Sequence, residues 1–161
     1  MKNRESGMPG EEGAFWNHPE PGRLVGRGHA AGDILEAYLW EVKEARDGYL
    51  RVGAHLPEHL LNLQGQLFGG FTPTYADFMA VHTWWAGRTA TPGRPWLATL
   101  NLRVDYFEPI VESHFEMVGR VIRRRGQLSW IECQFLSPEG EVCVHAYVSL
   151  KAIPQDQKGA S

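Results

Sequence analysis

One stretch, Phe71 to Trp85, restricts the fold more than any other, because wound as a helix it is apolar on almost every side. Phe71, Tyr75, Phe78, His82 and Trp85 recur at four- and three-residue spacings on one stripe, and Met79, Val81 and Trp84 cover much of the remainder. Such a helix has no face to give to water, so other structure must enclose it. It is too short and too interrupted to span a bilayer. Between Phe68 and Gly87 the acidic or basic side chains are Asp77 and His82. A carboxylate is costly to bury unless it is paired or hydrogen-bonded, which makes Asp77 the first candidate for chemistry.

Around that helix the chain reads as strand. Tyr38 to Ala45 runs into Asp47-Gly48, a strong hairpin dipeptide, and Tyr49 to Leu56 follows until Pro57 stops it. Beyond the helix, Leu100, Leu102, Val104 and Tyr106 alternate with Thr99, Asn101, Arg103 and Asp105. Phe115 to Val121, Ser129 to Phe135 and Val142 to Leu150 alternate in the same way, each with one inward face. The expected order is two strands, one long helix and four strands. An antiparallel sheet with one face to cover suits a helix that must be wrapped. The fold class is therefore α+β, with an antiparallel sheet curled around one long central helix.

Glycines and prolines crowd residues 1–30, which read as a flexible arm in which Phe15 and Trp16 can dock onto the body. Asp33 is placed to cap a short helical turn. The folded domain is expected over residues 31–153, with a polar tail over 154–161. A net charge of −3 gives no argument for nucleic acid or a membrane surface. No apolar run reaches transmembrane length and the N-terminus lacks a signal-peptide core, so the expected location is the cytoplasm. Cys133 and Cys143 flank the Ser137-Pro138-Glu139-Gly140 turn, nearly opposite each other on a hairpin, and read as buried thiols. No metal site is expected, since no histidines accompany them at zinc spacing and Pro57 separates His55 from His59.

This layout, with Asn62, Gly69-Gly70, Ala76-Asp77 and the strand Thr99 to Pro109, resembles the hotdog-fold acyl-CoA thioesterases of the 4-hydroxybenzoyl-CoA and phenylacetate-pathway type, over about residues 35–152. In that family an Asn precedes a Gly-rich loop ending His-Gly-Gly, with an acid seven residues after the last Gly. Asn62, Gly69, Gly70 and Asp77 keep those separations, and Thr99 sits where relatives carry Ser or Thr near the reacting carbonyl. Phe68 stands in place of the family's His. The resemblance implies hydrolysis of a small, medium or aromatic acyl-CoA thioester without cofactor or metal, with Asp77, Asn62, Gly69 and Thr99 catalytic and Phe68 and Gly70 in contact with substrate.

The residue types fit that chemistry. Thioester hydrolysis needs donors aimed at the oxygen where negative charge develops, and a Gly-Gly before a helix offers free N–H groups at the positive end of its dipole. Gly69 N–H is the candidate donor, and Asp77 is either general base or nucleophile. Asn62 and Thr99 are neutral groups able to hold water or thioester. His82 reads as a packed histidine. Arg123 to Arg125 read as a solvated hairpin end, or as partners for CoA phosphates. Two other functions remain open, a non-catalytic acyl-CoA-binding module and a hotdog hydratase or dehydratase, although Phe68 removes the histidine that the latter would use. Val118, Ile122, Leu128 and Trp130 interrupt the polar face of the later strands, and a single sheet leaves its edges bare. A homodimer or dimer of dimers is expected, and the resemblance implies a site shared between subunits.

Overall fold

The computed structural model describes residues 19–88 and 94–154. Phe15, Trp16, most of the Thr91-to-Pro95 loop and the tail from Gln155 lie outside them. The strands are β1 (Glu41–Arg46), β2 (Tyr49–His55), β3 (Trp96–Tyr106), β4 (His114–Arg125), β5 (Leu128–Leu136) and β6 (Val142–Ile153), with helices α1 (Ala30–Ile34) and α2 (Thr72–Trp85). The six strands form one antiparallel sheet in the order β1-β2-β4-β5-β6-β3. The sheet curls around α2, as the apolar girth of that helix requires. No helix among the described residues is long and apolar enough to cross a membrane.

α2 is seated by its small and aromatic side chains together. Tyr75, Ala76, Met79, Ala80 and Thr83 are fully enclosed. Tyr75 Oη–H donates to the His55 carbonyl at 3.0 Å, and the Trp84 indole N–H donates to Ser129 Oγ at 2.9 Å. These bonds satisfy polar atoms that burial would otherwise penalise, and they fix the helix to β2 and β5. Opposite Thr83 lies Gly119 of β4, where an added Cβ would fall 1.9 Å from Thr83 Oγ1. The helix approaches the sheet there because β4 carries no side chain.

Several local expectations change. β1 begins at Glu41, not Tyr38. Glu36 takes a left-handed backbone at φ 51° and leads into a 3₁₀ turn over Ala37–Leu39, which stacks Trp40 on Tyr75. α1 is capped by His29, whose Nδ1 accepts from Gly32 N–H at 3.0 Å. Asp33 lies inside the helix, and its carboxylate accepts from Gly28 N–H. Arg23 bridges to Glu41, and Val25 is buried against the body. Cys133 faces Ala146 across the β5–β6 ladder, so the two cysteines are not cross-strand partners; both are free, and burial pushes the Cys133 thiol up.

The alternation expected of β3 is broken by a bulge between Thr99 and Asn101. A bulge shifts the side-chain parity of a strand by one. Leu97 and Thr99 therefore face α2 before it, and Leu102, Val104 and Tyr106 after it. Leu100 is turned out, 56% exposed. This irregularity gives Thr99 and Tyr106 the same face.

Candidate functional site

Asp77 sits on the second turn of α2, half-buried, where the helix passes β3. Thr99 Oγ1 donates to its Oδ1 at 2.5 Å. This bond engages one carboxylate oxygen, and among the described residues the other has no hydrogen-bond partner.

The glycine loop forms a second group. Phe71 occupies the N-cap position of α2 without a side-chain cap, and Pro73 lies in the first turn. The loop is folded back by Asn62, whose Oδ1 accepts from Gln64 N–H at 2.9 Å and Gln66 N–H at 3.0 Å. Asn62 Nδ2 makes only a long 3.5 Å contact to Gln66 Oε1. Phe71 N–H donates to the Phe68 carbonyl at 2.8 Å, and Tyr106 Oη–H donates to the Gly69 carbonyl at 2.7 Å. Among the described residues neither Gly69 N–H nor Gly70 N–H has a protein acceptor. Asn62, Gly69, Thr72, Tyr106 and Pro109 line one pocket of about 270 Å³. Phe68 is 52% exposed and stands edge-on to Phe71, its ring so close over Gly70 that a Cβ there would meet it at 2.6 Å.

Thr99 and Tyr106 are seven positions apart on β3, so a rise of 3.2–3.4 Å per residue separates them by roughly 20 Å. Within one chain, then, the carboxylate–hydroxyl pair and the glycine pocket are distinct places on one face. Asp77 is brought to Thr99, and Asn62 to Gly69. Phe68 and Gly70 lie at the lip of the loop. His82 is elsewhere, its ring tilted against that of Phe78 at 4.5 Å between ring centres; burial, with His29 and Arg94 adding to it, holds it down to about 4. Arg124 is engaged with Asp47 at the hairpin end. Tyr106 escapes a reading by residue type, because an aromatic in an edge strand signals packing. Its position two and four residues beyond the inward Val104 and Leu102 was the available clue.

No family model and no curated protein matches the chain. Solved structures do. A hypothetical thioesterase from Streptococcus pneumoniae with coenzyme A is similar at 17% identity and TM-score 0.63, over 72% of this chain and 87% of that one. A thioesterase from Haemophilus influenzae is similar at 12% identity and TM-score 0.68, over 80% and 86%. The PaaI protein of the phenylacetic acid degradation operon of E. coli is similar at 11% identity and TM-score 0.62, over 76% and 87%. What these proteins share with this chain is the arrangement of one long helix in a curled six-stranded sheet, and by that arrangement it is a hotdog-fold protein.

Proposed function

We propose that this chain is an acyl-CoA thioesterase acting on a small, medium or aromatic acyl group. The observation that carries the reading is the short Thr99–Asp77 hydrogen bond: a carboxylate in an apolar helix, oriented by a hydroxyl on one oxygen and open on the other. The structural likeness to a thioesterase solved with coenzyme A supports the substrate class.

In the general-base route the open oxygen of Asp77 takes a proton from water as the water oxygen attacks the thioester carbon. The developing oxyanion accepts from Gly69 N–H, and collapse of the tetrahedral intermediate expels CoA as the thiol, with the proton returned from Asp77. In the nucleophilic route the carboxylate attacks, CoA leaves, and water hydrolyses the mixed anhydride. Both end in a free carboxylate and a free thiol.

Either route needs the acid and the amide donors at one carbonyl, and a single chain holds them apart. The bare edge of β3 offers the solution. Two copies pairing their β3 edges antiparallel, about an axis near Leu102 and Arg103, set one chain's Thr99 opposite the partner's Tyr106. The reading is therefore of a homodimer, or a dimer of dimers, whose sites each draw on two chains, in a cytoplasmic protein without cofactor.

Asp77→Asn keeps size and hydrogen bonding and removes basicity and nucleophilic charge. Folded, oligomeric Asp77→Asn protein is expected to bind acyl-CoA by calorimetry and to lose on the order of 10²-fold or more in thiol release. Unchanged turnover would refute the assignment. Phe68 favours one other reading, a module that binds acyl-CoA without hydrolysis, since its exposed ring stands where the resembled family carries a histidine. Binding with no thiol release from any acyl-CoA of a broad panel would decide for it.

A further inference from the structure

Building on the thioesterase reading, we infer that Tyr106 is a positioning residue that sets the direction in which the Gly69-Gly70 turn presents its amide hydrogens. In a trans peptide the carbonyl of one residue and the N–H of the next lie in one plane and point opposite ways. Whatever holds the oxygen therefore aims the hydrogen. The Phe68 carbonyl is held by Phe71 N–H at 2.8 Å, and this aims Gly69 N–H. The Gly69 carbonyl is held by the Tyr106 hydroxyl at 2.7 Å, and this aims Gly70 N–H. Two carbonyls of the turn are occupied, and the two amides that follow them have no acceptor among the described residues.

The two holds differ in kind. The first lies within the turn's own backbone. The second comes from β3, 37 positions along the chain. It acts on a peptide flanked by two glycines, the residue type least able to resist rotation of its own peptide planes. Without the hydroxyl, the Gly69–Gly70 peptide is free to turn over, exchanging an N–H for a carbonyl oxygen. An oxygen at that place would repel the thioester oxygen instead of stabilising it. A contribution to folding is a weak rival explanation, because the bond joins two neutral groups. The ring lies across Gly69, 3.8 Å from where a Cβ would stand, and lines the same pocket as Asn62 and Gly69.

Tyr106→Phe removes the hydroxyl and keeps the ring. Since Gly69 N–H keeps its own hold, the variant is expected to lose about 10-fold in kcat, less than removal of an oxyanion donor costs, with KM within about twofold. Oligomeric mass and melting temperature are expected to stay at the wild-type values. In protein labelled with ¹⁵N-glycine, the Gly70 amide signal is expected to shift and broaden while that of Gly119, deep in the sheet, stays in place. If wild-type protein releases no thiol from any acyl-CoA, the function proposed above fails, and the Gly70 signal alone decides the role of Tyr106. Wild-type turnover in an active background, a Gly70 signal that does not move, or a drop in mass that accounts for the loss would each overturn the inference.

Discussion

Gly119→Ala tests how the central helix is seated. The added Cβ would stand 1.9 Å from Thr83 Oγ1 and 3.0 Å from Thr83 Cβ, with Thr83 wholly enclosed and its hydroxyl bonded to the Met79 carbonyl at 2.8 Å. An ordinary contact begins near 3.4 Å, so about 1.5 Å of movement is needed from the present 1.9 Å. If the backbone moves, overpacking costs about 1–3 kcal/mol. If Thr83 rotates instead, its buried hydroxyl leaves Met79, at about 1–3 kcal/mol for the unmet group. A loss of roughly 2–3 kcal/mol follows by either response, a large share of the roughly 5–15 kcal/mol that holds a domain together. At about 2–4 °C per kcal/mol this lowers the melting temperature by about 4–12 °C. Urea unfolding of wild type, Gly119→Ala, Thr83→Ala and the double variant forms a cycle. Thr83→Ala removes the clashing oxygen, so the double variant should be more stable than Gly119→Ala alone, with about 2 kcal/mol of coupling. A Gly119→Ala cost below about 1 kcal/mol, or additivity within about 0.5 kcal/mol, would show that the helix does not rest on this glycine.

Two further outcomes are expected. His82 is depressed from 6.5 to about 4 by burial, so between those values the unfolded chain binds the proton and the folded chain does not. Its contribution is complete above about pH 6.5 and fades as pH falls toward 4, a loss of up to about 2 kcal/mol at pH 5. The pH 7.5-to-5 fall in urea midpoint should shrink in His82→Leu, and an equal fall in both proteins would contradict the assignment. Light scattering at micromolar concentration should give a multiple of the 18.1 kDa chain mass; a monomer would remove the second half of the proposed site.

Much of this was legible in the residues. The all-round apolar helix dictated its own enclosure, and period-two alternation in β4, β5 and β6 marked their inner faces because each is regular over most of its length. β1 was drawn too long because Tyr38 and Trp40 are strong strand formers. The left-handed turn at Glu36 overrode that preference, to bury Trp40 against Tyr75. In β3 the alternation was assigned to a single parity, and a bulge supplied two. Its place in an apolar helix singled out Asp77, the family resemblance pointed to Thr99, and the fold sets the two in contact. The Tyr106–Gly69 bond was hidden, since nothing in a sequence says which carbonyl a distant hydroxyl will find. The cap of α1 was assigned to Asp33 because histidine ranks low among capping residues, yet His29 occupies the place.

The order of the strands has a consequence for synthesis. β3 is made before β4, β5 and β6, but its ladder is with β6, the last of the described strands, pairing Thr99 with Leu150 and Tyr106 with Val144. Until Ile153 has left the ribosome, the strand that carries both residues has no neighbour to hydrogen-bond. Contacts so distant along the chain carry the loop-closure cost of everything between them. A nascent chain can therefore wind its helix and close its first hairpin while Asp77 and the glycine turn still lack their fixed partners. Completion of β6 then sets when β3 is held in its ladder, and a product truncated before β6 carries the acid and β3 without the strand that fixes β3 in place.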